Sequence, residues 1–167
     1  MELKSIETIV RSLNNAGIRY LIVGGLAVNA HGFERMTRDL DLVIQLDAAN
    51  ILAALNTLAE LGYKPRVPVT PQQFATPHLR EQWKKEKQML VLQLWSDAHR
   101  RTPVDIFVYE PFDFSAEERR ALIQTIAPGV DAPIVALEAL LRMKIEANRP
   151  QDLVDIDALN LLLSHRT

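Results

Sequence analysis

The spacing of apolar residues changes several times along this chain, and each change marks an element. Leu3, Ile6, Ile9, Val10 and Leu13 recur at helical intervals ahead of Gly17, which predicts a helix over 3–16. Tyr20 to Val23 is an apolar run that stops at Gly24-Gly25, the pattern of a strand, and Leu26 to His31 reads as a short helix leaving it. From Asp39 to Ile44 charge and hydrophobicity alternate with a period of two. That predicts a second strand, with Asp39 and Asp41 on one face and Leu40 and Leu42 turned toward a core. Asp47 occupies the N-cap position before an apolar stripe at 51, 52, 55, 58 and 61, and Gly62 ends that helix.

The middle of the chain is less regular. Tyr63 to Val69 reads as extended, and four prolines (65, 68, 71 and 77) make 64–77 loop-rich, a place for a segment bordering a binding site. Thr76-Pro77 starts a short helix carrying Arg80, Lys84, Lys85 and Lys87, which reads as a solvated face or, alternatively, a docking surface for an anionic acceptor such as RNA. Met89 to Trp95 and Val104 to Val108 read as strands. Ser115 and Glu118 have the spacing of a capping box for a helix running to Ile126 before Pro128-Gly129. A short extended segment, 133–135, leads into a helix whose stripe is Leu137, Leu140, Leu141 and Ile145, with Lys144 inside it. A last helix over 152–164 buries Ile156, Leu159 and Leu163. Together these elements describe an α/β (α+β) fold, a mixed β-sheet flanked by helices in a single domain, with a core in 1–112 and C-terminal helices from 113 packing on it.

Composition narrows the functional classes. At 167 residues, 48% apolar and 24% charged, the chain has the profile of a soluble globular domain. A net charge of −2 predicts no general affinity for nucleic acid or anionic membrane. Without cysteine there are no disulfides and no thiolate zinc sites. The opening MELKSIETIVRSL is amphipathic and of mixed charge, unlike a signal peptide, and no run nears the roughly 20 apolar residues that span a bilayer, so the expected location is cytoplasmic.

Two acidic side chains on one strand face repel each other unless a cation lies between them. Mg²⁺ suits such a pair, taking one or two carboxylates together with substrate phosphates. Gly24-Gly25, where a strand turns into a helix, lets a phosphate approach bare backbone N–H groups. A metal-dependent glycosyltransferase also uses Asp-x-Asp, but its fold is usually longer and requires no Gly-Gly strand end upstream.

The combination of Val23, Gly24, Gly25, Asp39 and Asp41 resembles the nucleotidyltransferase superfamily of the DNA polymerase β type. His31-Gly32, Arg35, Thr37-Arg38 and the later Lys144, Arg149, Asp152 and Asp155 look like its small bacterial branch that includes AbiEii-type toxins. The resemblance implies a third carboxylate on a later strand, and Asp105, which interrupts the apolar run 104–108, is the candidate. It implies that Asp39, Asp41 and Asp105 hold Mg²⁺ or Mn²⁺ and carry the catalysis. Gly24, Gly25, Arg38 and Lys144 would contact the phosphates of an NTP. Arg149 and Asp152 read instead as fixing the junction of the last two helices, and His31 as a packing residue. The expected reaction moves a nucleoside monophosphate from an NTP to a hydroxyl or phosphate acceptor, with pyrophosphate leaving. Larger members carry an added helical domain for the acceptor. This chain has little room for one, so a homodimer partner would grasp the acceptor, or the protein acts in trans on RNA or another protein. The alternative is a non-catalytic binding protein of the same fold, such as one half of a toxin–antitoxin pair.

Overall fold

The computed structural model describes residues 1–166. Helix α1 (Leu3–Asn15) is followed by strand β1 (Tyr20–Val23), helix α2 (Gly24–Ala30), strand β2 (Leu40–Ile44) and helix α3 (Ala48–Glu60). Strand β3 (Lys64–Pro65), helices α4 (Pro71–Phe74) and α5 (Pro77–Lys87), and strands β4 (Val91–Trp95) and β5 (Val104–Phe107) make up the middle. Helix α6 (Phe114–Arg120), strands β6 (Leu122–Ala127) and β7 (Val130–Ile134), and helices α7 (Leu137–Ala147) and α8 (Pro150–Ser164) complete the described chain. The seven strands form one mixed sheet in the order β3-β4-β5-β2-β1-β7-β6. β1 lies antiparallel to β2 and parallel to β7, and β2 lies parallel to β5. The expected α/β fold, a mixed sheet with helices packed on it, is therefore observed.

β1 is buried along its whole length, as a central strand covered on both faces must be. Leu40, Leu42, Leu92, Leu94, Val104 and Ile106 fill the core beneath it. α1 contributes Ile6, Ile9, Val10 and Leu13, α3 contributes Ile51, Ala54, Leu55 and Leu58, and α7 contributes Leu137, Leu140 and Leu141. Asp47 caps α3 by accepting from the Asn50 backbone N–H.

Several expectations give way. Asp113, not Ser115, caps α6, and the helix stops at Arg120. Arg19 occupies the partners of the supposed box, contacting Ser115 and pairing with Glu118. The residues 122–127 then form β6, which turns at Pro128-Gly129 into β7. Ile123, Thr125 and Ile126 carry strand propensity, and the pairing offered by β7 outweighs the helical period of the sequence. Ile145 lies outside the buried stripe of α7 and is exposed. α2 begins at the glycine pair itself, α8 begins at Pro150 with Asp152 in its first turn, and β2 begins at Leu40, leaving Asp39 just ahead of the strand. The stretch 64–77 is more ordered than a loop. Thr70 and Gln73 form a reciprocal capping box on α4, whose Phe74 is fully buried.

The C-terminal helices are joined by buried charge. Lys144, in the apolar stripe of α7, bonds Asp152 at 3.1 Å and Asp155 at 2.9 Å, both carboxylates on α8 being fully buried. Arg35, from the segment between α2 and β2, reaches the same Asp155 at 2.8 Å. Arg149 adds bonds from its backbone N–H and guanidinium to Asp152. Burial disfavours the charged Asp152, but the hydrogen bonds from Arg149 and Lys144 outweigh it and hold its pKa below the usual carboxylate value. Breaking a buried pair by removing one partner strands the other charge. Asp155→Ala should therefore lower unfolding free energy by about 3–5 kcal/mol in urea denaturation, leaving Lys144 and Arg35 short of a partner. A loss below about 1 kcal/mol would show that the network contributes little to stability.

Candidate functional site

The site forms where β1 ends. Val23 stands opposite Asp41 in the β1–β2 ladder, so the chain that leaves β1 at Gly24 passes directly over the Asp41 side chain. Gly24 has φ +68°, and a Cβ there would overlap the Asp41 carboxylate. A Cβ at Gly25 would come within 2.5 Å of the Thr37 hydroxyl. Close approach at both positions, and the left-handed backbone at Gly24, exclude side chains. The glycine pair thus brings bare backbone against the acidic cluster.

Asp41 and Asp105 are register partners on parallel β2 and β5, so their side chains share a sheet face one strand spacing apart. Gln93 on β4 is the next partner in the row, opposite Asp105. Burial, reinforced by the charges of Asp105 and Asp39, pushes the Asp41 pKa up to about 7, against the opposing pull of Lys144 and Arg149. Burial and the Asp39 charge raise Asp105 to about 6, while the Gln93 amide and Arg66 draw it down. The Oδ1 of Asp105 is buried and accepts no hydrogen bond.

These groups line a cavity of about 920 Å³. Gly24, Gly25, Arg38, Asp39, Asp41, Asp105 and Lys144 all contribute to its wall, so every residue singled out for catalysis, metal or phosphate in the sequence reaches one pocket. Three further features of the arrangement bear on what was expected. Among the described residues, no three His, Asp or Glu side chains stand together closely enough to hold one metal ion. Lys144 is 4% exposed and already engaged by Asp152 and Asp155, so its ammonium serves the helix junction while bordering the cavity. The loop-rich segment 64–77 contributes nothing to the wall. Arg35 is likewise held by Asp155, whereas Arg38 is exposed. His31 is a packing residue, buried with Nε2 at 2.7 Å from the Val135 carbonyl.

Sequence reasoning passed over Gln93 and the aromatic side of the cavity, Phe107 and Tyr109. Phe107 was within reach of the period-two rule, since it lies two residues beyond Asp105 on the same strand. Gln93 had no such signal, because only the β4–β5 register places it beside the carboxylate.

A row of carboxylates beside a glycine turn and backbone N–H groups is suited to binding a phosphorylated ligand through a cation. The chain matches solved structures with that kind of fold. The lincosamide antibiotic adenylyltransferase LnuA, in its lincomycin-bound crystal structure, superposes with a TM-score of 0.59 at 18% identity, covering 95% of this chain and 96% of that one. The antibiotic-resistance factor ANT(2'')-Ia superposes with a TM-score of 0.60 at 13% identity, over 99% of this chain and 84% of that one. An antigenic nucleotidyltransferase-like protein from Paracoccidioides brasiliensis gives 0.54 at 20% identity, over 95% and 75%. At such identities the likeness is one of fold. No curated protein matches the chain in sequence. The sequence profile described as "Nucleotidyl transferase AbiEii toxin, Type IV TA system" covers residues 9–162, nearly the whole chain. This protein belongs to the AbiEii nucleotidyltransferase family.

Proposed function

We propose that this nucleotidyltransferase is metal-dependent and transfers a nucleoside monophosphate from an NTP to a hydroxyl or phosphate acceptor. The observation that carries the reading is the Asp41–Asp105 register pair beneath Gly24, in one cavity with Asp39 and Arg38. The residues fit a hard divalent cation in chemical type. All are carboxylates, Asp105 has a buried oxygen without a hydrogen-bond partner, and the pKa values of Asp41 and Asp105 are raised first by burial and then by neighbouring carboxylate charge, both of which a bound cation would offset. Bound Mg²⁺ or Mn²⁺ would be held by Asp39, Asp41 and Asp105 and would neutralise charge on the transferring phosphoryl group.

The chain's own groups account for the rest. Backbone N–H groups at Gly24 and Gly25 and the Arg38 guanidinium receive the triphosphate. Asp105, with its pKa near 6, is ionised at neutral pH and can accept the proton of the acceptor hydroxyl. The freed oxygen attacks the α-phosphorus, the bond from that phosphorus to the bridging oxygen breaks, and pyrophosphate leaves. Lys144 acts at one remove, its positive charge favouring ionised Asp41 through space. The family's place in type IV toxin–antitoxin systems makes an antitoxin the natural regulator.

A second reading, a non-catalytic member acting through a partner protein, is favoured by one observation, the lack of a three-carboxylate cluster at metal-binding distance among the described residues. Thermal unfolding with each of the four NTPs, with and without Mg²⁺ or Mn²⁺, separates the two. Saturating ligand at a hundred times its Kd stabilises by about 2.7 kcal/mol, or roughly 5–10 °C for a chain of this size. We expect a metal-dependent shift with at least one NTP, absent in Asp39→Ala/Asp41→Ala. No shift with any nucleotide would favour the non-catalytic reading.

The raised carboxylate values set a second outcome. A carboxylate with a folded pKa above its unfolded value stabilises the fold below the unfolded pKa and loses that contribution as pH rises through the folded one. Stability without metal should therefore fall between about pH 4 and pH 7 on account of Asp41 and Asp105. Asp41→Asn should flatten this slope and stabilise the metal-free protein at pH 8 by about 1–3 kcal/mol, measured by urea denaturation. The thermal shift with Mg²⁺ and NTP should grow from pH 6 to pH 8 in the unaltered protein. A shift independent of pH would remove these carboxylates from the metal site.

A further inference from the structure

The strand order lays the cavity out in a line. The glycine pair follows β1, Asp41 is on β2, Asp105 is on β5, and β4 lies beyond. Past Asp105 the wall changes character. Phe107 lies two residues further on β5, facing the same way, with Val91 opposite it on β4. Tyr109 continues the surface, its ring centroid 5.7 Å from that of Phe107 and its plane tilted by 57°. The Lys84 ammonium, from α5, sits 4.0 Å from the Tyr109 ring centroid. Leu90 and Pro111 border the same end of the cavity. Both rings remain half-buried, with room in front of them.

We propose that this aromatic shelf is the acceptor subsite, and that the acceptor presents a flat, unsaturated ring without positive charge beside the hydroxyl to be modified. The proposal rests on the transferase reading, which puts the triphosphate on the glycine side and the proton-accepting Asp105 between phosphate and shelf. An acceptor stacked on Phe107 lies next to Asp105, so its hydroxyl oxygen is directed at the carboxylate that takes its proton. The charges fit this class of molecule. Lys84 already occupies a position over Tyr109, so a cation stands at the ring and opposes a second positive charge stacked there. Glu146, on α7, lines the same cavity near Tyr109. A neutral ring therefore meets aromatic faces without stranding a charge.

The test is calorimetric and uses the full chain. Adenosine, guanosine, cytidine and uridine serve as ring probes. Tobramycin serves as a polycation probe, and Mg²⁺-tripolyphosphate as a probe of the glycine side. Titrations are made alone and with a saturating non-hydrolysable NTP analogue and Mg²⁺. At least one nucleoside should bind with the analogue in place. Phe107→Leu, which keeps apolar bulk and removes the ring, and Tyr109→Ala should each weaken it about tenfold or more, while tripolyphosphate binding stays unchanged. The proposal is overturned if no nucleoside binds, if the analogue displaces it (the shelf then holds the donor's base), if both variants bind it normally, or if tobramycin binds the shelf more tightly. Failure of tripolyphosphate and the analogue to bind would sink the transferase reading by itself. A nucleoside lost in Phe107→Leu would still support the shelf.

Discussion

Asp41 and Asp105 stand side by side on adjacent parallel strands, and burial raises the pKa of both, helped at Asp41 by the charges of Asp105 and Asp39 and at Asp105 by that of Asp39. Much of the local structure is arranged around this buried acidic pair. No side chain is tolerated above Asp41, so the turn out of β1 must be glycine. Lys144 and Arg149 supply positive potential, but both are bonded to α8 carboxylates and neither closes over Asp41 as a salt bridge. The protein keeps an unfavourable cluster open to its cavity instead of quenching it. Such local cost in an otherwise well-packed core is expected where a charged ligand completes the arrangement.

The buried ionic network behind the cluster has a different task. Arg35 comes from the segment leading to Asp39, Lys144 from α7, and Asp152 and Asp155 from α8. Three separated pieces of chain thereby meet at one pair of carboxylates. Lys144 borders the cavity, yet its bonds are spent on the scaffold. Its influence on Asp41 is electrostatic and acts through space.

The sequence made legible whatever depends on local period and on chemistry within one strand. The Gly24-Gly25 turn, the Asp39/Asp41 spacing, the lone Asp105 in an apolar strand and the Asp47 cap were all visible because each signal lies within a few residues. Features set by pairing between distant segments were not. β6 reads as helix because SAEERRALIQTI has helical periodicity, and only its antiparallel partner β7 makes it a strand. Lys144 looked like a phosphate ligand because its helix position points inward. That Asp152 and Asp155 lie in wait on the next helix depends on how α7 and α8 pack. Gln93 became a neighbour of Asp105 through register alone.

The anchor of the Asp39 segment lies late in the chain. Arg35 is fastened to Asp155, 120 residues further on, and β1 is flanked on one side by β7, which begins at Val130. During synthesis the glycine turn and the first two carboxylates emerge early, yet the parts that hold them arrive only with β7 and then α8. Contacts of such long separation are made late and slowly. The nascent chain therefore carries an unassembled site until α8 has emerged and packed against the Arg35 segment.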